Sequence, residues 1–171
     1  MRGALVLEER AFPLRPVPDP SAKFKGTGRE AGWRRCQALS GEDATFTPWP
    51  HDTYPNWSLP ALEAAKCVER QGDHAVDDRL HLNLFEAFFT KSHNIADREE
   101  VTRIVEASGA DLARFREDYA AGAGREAVIA DYRRAIEEDG VQGIPTVIVP
   151  DTGQRVVGLA DLETYRRAVT G

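Results

Sequence analysis

The hydrophobic pattern changes period twice along the chain. At the start, residues 4–12, "ALVLEERAF", predict one strand of roughly eight residues. "PLRPVPDPSAKFKGTG" follows, and its four prolines exclude regular structure and predict a path across the surface. A short helix is expected over 29–39. The segment "TFTPWPHDTYPNW" is again broken by proline, so it predicts an extended loop held down by Phe46, Trp49, Tyr54 and Trp57. From Ser58 the period becomes helical. Ser58 stands at an N-cap position, Pro60 lies in the first turn and Gly72 is the stop. Residues 73–141 read as helical throughout, with Val76, Leu80, Leu84, Phe85 and Phe88 on one face. Asp97 and Asp111 open further helices, and Val128, Tyr132 and Ile136 repeat at i, i+4, i+8. The period then shortens to that of a buried strand at 146–149. A "PDTGQ" turn, a strand at 155–157 and a last helix, "LADLETYRRAV", complete the chain. The order predicts an α/β protein with a helical block between its first strand and its hairpin.

Composition narrows the partners. The chain has 171 residues, enough to bury a core without a disulfide or metal. Lys plus Arg number 22 against 28 Asp plus Glu, a net charge of -6. That balance argues against nucleic acid or an anionic membrane as the main partner. No apolar run reaches membrane-spanning length, and the N-terminal one is too short for a signal peptide. The expectation is a soluble cytoplasmic protein whose thiols stay reduced.

Candidate chemistry is sparse. Gly143-Ile144-Pro145 marks a tight turn at the mouth of a strand, where an X-Pro bond can be held cis. Cys36 shares a helix with Trp33, Arg34 and Arg35, and such basic neighbours favour a thiolate, so it is the possible reactive thiol. Cys67 stands among Ala64, Ala65 and Val68 and reads as packing. His74 and His81 are too far apart for i, i+4 chelation, and His51 and His93 lie near loops, so no metal is expected. The acidic runs read as solvated helix faces and caps.

The ending, "GVQGIPTVIV" followed by "GQRVVGLADLETYRRAV", resembles the close of a DsbA-like protein of the thioredoxin superfamily. "EERAFPLRP" resembles the strand and Pro-rich exit of its FrnE-like dithiol-disulfide isomerase and 2-hydroxychromene-2-carboxylate isomerase branch. "SLPALEAAKCVERQG", "LFEAFFTKSHNIADREEVTRIVEASGAD" and the long helix before Gly140 resemble that branch's helical insertion. The resemblance implies a thioredoxin-like α/β fold divided into a thioredoxin-like domain, 1–57 and 142–171, and a helical insertion, 58–141. It also implies that Gly143, Ile144, Pro145 and Thr146 form a cis-Pro loop presenting its backbone to an extended peptide.

In that family the chemistry starts from an N-terminal strand–CxxC–helix unit, where the helix N-terminus lowers the pKa of the first thiol. No CxxC occurs here, and the resemblance implies that this unit is absent and that the chain begins at the family's second strand. Two expectations follow: a fold kept for binding with disulfide exchange lost, or an active dithiol enzyme whose natural chain starts upstream. A third is a glutathione-dependent isomerase; otherwise no cofactor is expected. The lost strand is central in the thioredoxin sheet, so its absence leaves a gap one strand wide, about 4.8 Å. A homodimer closing that gap is the expected partner, with exchange of N-terminal strands as one route to it.

Overall fold

A computed structural model describes residues 6–171 of the chain. They form two compact units, one through Ile129 and one from Ala130. The elements are α1 (Gly28–Ser40), α2 (Leu59–Glu69), α3 (His74–Phe85), a π-helical turn (Glu86–Thr90), α4 (Arg98–Ser108), α5 (Leu112–Ala121), α6 (Ala123–Glu137), β1 (Thr146–Val149), β2 (Gln154–Val157) and α7 (Leu162–Thr170).

The first unit is helical because apolar residues recur at helical spacing and each of several helix starts is capped locally. Asp73 accepts from Ala75 N and Val76 N, Asp97 from Glu99 N, and Asp111 from Arg114 N, satisfying amides that have no intrahelical partner. Gly109 and Gly122 end α4 and α5 with φ of 82° and 74°, a left-handed conformation that a side chain disfavours. The core of α2–α5 is built from Cys67, Leu80, Val101, Val105 and Phe115, all fully buried. A second, aromatic cluster joins α1 and the proline-rich loops to the π-helical turn. Trp33 meets Phe24 edge-on at 4.8 Å and Phe88 at 5.4 Å, while Trp49 packs on Tyr54 at 5.2 Å. Phe46 and Phe89 complete it.

Several expectations are corrected here. Residues 6–12 form no strand, and Val6 and Leu7 are exposed; strand propensity expresses a fit to a half-buried pleated surface, which these exposed side chains do not meet. Ala4 and Leu5 of that expected strand lie outside the described residues. As the expected caps imply, residues 73–141 form several helices, broken at 91–97, 109–111 and Gly122, and the last of them ends at Glu137 rather than running on to 141. Phe85 is 58% exposed rather than on the core face. One residue past Leu84, it is rotated by about 100° off the Val76–Leu80–Leu84 stripe. The Ser58 hydroxyl does not cap α2. It accepts from Arg15 N at 2.9 Å, while Ser58 N donates to Arg15 O at 3.0 Å, so the linker is pinned instead. Trp57, expected to pack with the loop aromatics, donates to Pro16 O and lies near Arg125. Ile136 is exposed, and Ala135 is the buried residue of that turn.

The second unit holds the end of α6, the hairpin and α7. β1 and β2 pair antiparallel, with Thr146 opposite Val157, Val147 opposite Val156, Ile148 opposite Arg155 and Val149 opposite Gln154. Gly153, at φ 68°, closes the turn by donating to Val149 O at 2.9 Å. Thr152 Oγ1 donates to Ala168 O at 2.7 Å and ties the turn to α7. The pattern predicts a buried β1, yet its residues are half-buried and Ile148 is exposed. Two strands carrying one helix cover only one side of the ribbon.

Candidate functional site

The segment leaving α6 is fixed at several points. Val141 N donates to Ala135 O at 2.7 Å, and the Arg155 guanidinium reaches back to the carbonyls of Asp139 and Gly140. Beyond this anchor come Gly143, Ile144, Pro145 and Thr146. The Ile144–Pro145 peptide bond is cis. Thr146 Oγ1 donates to Gly143 O at 2.6 Å, and Gly158 N donates to Pro145 O at 2.8 Å. These bonds hold both ends of the turn, while Ile144 and Pro145 face solvent. Nothing lies within 4 Å of the position a Gly143 side chain would take. Gly143, Ile144 and Pro145 thus lead into Thr146, the half-buried first residue of β1, with Ile144 and Pro145 open to solvent.

The thiols stand in the first unit, and both are free. Cys36 is half-buried on α1. Cys67 is fully buried on α2; burial pushes its thiol above the ordinary value, and a hydrogen bond involving the Gly124 backbone offsets part of that rise. A thiol kept protonated and out of solvent is a poor nucleophile.

Sequence reasoning missed a buried charge: among the described residues Glu63 is the one charged side chain that is buried. Glu63, on α2, is 1% exposed and holds two guanidinium groups. Arg125 Nε donates to Oε1 at 2.6 Å, and Arg98 Nη1 donates to Oε2 at 2.9 Å. Arg98 also lies over the Tyr119 ring at 3.5 Å and donates to Tyr119 O, while Tyr119 Oη donates to Pro60 O at 2.9 Å. Burial raises the Tyr119 phenol, so it stays a donor. The signal was present in the spacing: Glu63 and Cys67 are i, i+4, so an inward Cys67 implies an inward Glu63. This carboxylate is saturated by partners that join α2, α4 and the start of α6, which suits cohesion rather than proton transfer. Close by, an open cleft of about 500 Å³ is lined in part by Arg98, Arg103 and Arg116. Two of those cations are already engaged, Arg98 by Glu63 and Arg103 by Glu100 at 2.9 Å.

The histidines are dispersed. His93 pairs with Glu100 at 2.6 Å, and His81 lies between Glu9 at 3.5 Å and Asp77 at 3.8 Å. Among the described residues no group of three His, Cys, Asp or Glu is placed to hold a metal ion. Among the same residues no helix is long and apolar enough to cross a membrane.

Known proteins resemble this chain in sequence and in fold. The "Uncharacterized protein YwbO" of Bacillus subtilis (strain 168) is 24% identical over 169 residues, spanning 96% of this chain and 80% of that protein. A solved structure, described as "a putative protein disulfide isomerase from Nitrosomonas europaea", superposes with a TM-score of 0.71 at 16% identity, over 83% of this chain and 70% of the other. That likeness shows a shared fold. The family model for the DSBA-like thioredoxin domain matches residues 49–170, from the aromatic loop through α7. The chain belongs to the DSBA-like thioredoxin domain family.

Proposed function

We propose that this protein is a member of the thiol-disulfide oxidoreductase family that binds extended peptide at residues 143–146 and does not itself exchange disulfides. The observation that carries the reading is the open, doubly anchored loop at the mouth of β1, with Ile144 and Pro145 exposed and free space over Gly143. A peptide laid along such a loop gains main-chain hydrogen bonds as an added strand, with an apolar contact from Ile144.

Exchange requires an attacking thiolate and a second thiol to resolve the mixed disulfide. Cys36 and Cys67 are the only cysteines of this sequence, without CxxC spacing, and Cys67 is buried with a raised pKa. The division into a thioredoxin-like domain and an inserted helical block, 58–141, belongs to the same reading and draws support from the order of elements.

The test has two arms. A fluorescent S-carboxymethylated insulin B chain, extended and free of thiols, is titrated with the protein and with Ile144→Asp. Saturable binding that Ile144→Asp weakens supports the loop; binding unaffected by the substitution, or none, refutes it. Insulin reduction and refolding of scrambled ribonuclease are expected to stay at the no-protein rate. Activity that Cys36→Ser abolishes would overturn the claim of lost exchange.

A further inference from the structure

The hairpin of the second unit has one covered face and one open face, and the register says which is which. Opposed residues of an antiparallel pair project to the same side, and successive ones alternate. Val147, Val149 and Val156 therefore share one face, and all are half-buried. Ile148 and Val157 belong to the other, with Arg155 and Thr146 opposite them in turn. Ile148 is 37% and Val157 61% exposed. The hydrogen bond from Gly158 N to Pro145 O carries the pairing one step further and brings Ile144 and Leu159 to the end of the ribbon. Those two are 46% and 70% exposed.

We infer that this open face, Ile144, Ile148, Val157 and Leu159, is the contact between two copies of this chain. Three considerations select a second copy. A two-stranded hairpin is marginal unless another layer covers its apolar side. The unit from Ala130 buries only Ala135, Val141 and Ala168 among its hydrophobic residues, far short of a core.

The face is also compatible with itself. Its one charge, Arg155, is turned onto the carbonyls of Asp139 and Gly140, so a two-fold arrangement brings aliphatic side chains against their own kind. The area is right as well. At 37–70% exposed, the four residues offer on the order of 400 Å² of apolar side chain. That matches the apolar core of an interface burying about 800 Å² per partner.

The contact overlaps peptide capture at Ile144, and its other residues, Ile148, Val157 and Leu159, lie outside the loop at 143–146. Variants for this test therefore leave Ile144 intact. Sedimentation velocity of the whole protein across the micromolar range is expected to show a dimer. Val157→Lys and Ile148→Lys each place a cation on the face and should raise the dimer dissociation constant roughly 100-fold. Circular dichroism establishes that each variant is folded. Amide exchange over 146–157 in the unaltered protein supplies a readout independent of the variants, and should slow as concentration rises. A monomer at about 50 µM overturns the inference, because interfaces of this size hold well below that concentration. So does a dimer indifferent to folded Val157→Lys, or exchange independent of concentration.

Discussion

Gly124 stands where α6 passes closest to α2, and its replacement by alanine should be costly despite lying in a helix. A β-carbon there would lie 2.1 Å from the Glu63 carbonyl oxygen, 2.9 Å from its carbonyl carbon and 3.0 Å from Cys67 Sγ. The nearest obstacle is backbone, so no rotamer change relieves it. The two helices must part by roughly 1.3 Å to restore ordinary contact. That movement also stretches the 2.6 Å bond between Arg125 and Glu63. Overpacking costs about 1–3 kcal/mol, and disturbing a buried ion pair adds to it. Alanine returns at most about 1 kcal/mol in helix propensity.

The net expectation is a loss of about 2–4 kcal/mol, or a Tm lower by about 5–15 °C for a domain of this size. Urea unfolding followed by circular dichroism measures it. Gly32→Ala is the control, since that glycine is also helical but has nothing within 4 Å of its would-be β-carbon. It should stabilise by about 0.5–1 kcal/mol. If Gly124→Ala unfolds at or above the wild-type midpoint, the close approach of α2 and α6 is wrong.

Two further tests concern buried groups of the first unit. Glu63→Gln keeps shape but removes the charge between Arg98 and Arg125, and should cost about 2–4 kcal/mol in the same urea assay, less than a fully buried pair because both arginines are partly solvated; an unchanged midpoint would dismiss the clamp. For Cys67, burial holds the folded thiol above its ordinary 9.0, so its contribution is complete below that value and fades as pH rises through the folded one. The stability gap between wild type and Cys67→Ala should therefore hold steady up to about pH 8 and narrow above about pH 9, and a gap still constant at about pH 10.5 would contradict the burial of that thiol.

Much of this architecture is legible from local chemistry. Asp97 and Asp111 announce helix starts because a short carboxylate reaches amides two or three residues on. The shift to period two at Thr146 marks the hairpin, and its turn closes on Gly153 as the Asp/Gly sequence suggests. The tight turn at Gly143-Ile144-Pro145 is legible for the same reason, since proline and glycine act on their immediate neighbours, whereas its reading as a peptide-binding loop comes from the family resemblance. What fails depends on distant partners. Residues 6–12 have strand composition but form no strand, so composition alone does not make one. Ser58 reads as the cap of its own helix, while Arg15, 43 positions away, takes its hydroxyl. Phe85 falls one residue too far along the buried stripe, and the π-helical turn after it is set by packing of Phe88 and Phe89 rather than by any sequence period. Glu63 looks like surface charge until Arg98 and Arg125 are brought to it from other helices.

The distribution of aromatic residues between the units has a spectroscopic consequence. Trp33, Trp49 and Trp57 all belong to the unit ending at Ile129, and two of them are buried in the aromatic cluster. The unit from Ala130 contains Tyr132 and Tyr165 but no tryptophan or phenylalanine. Tryptophan emission therefore follows the melting of the helical unit and is blind to the hairpin, whereas far-ultraviolet dichroism sums both. Coincident transitions would mean that the two units melt as a single cooperative body. A dichroism change that precedes the fluorescence change would place the weaker link in the forty-two residues that carry the loop.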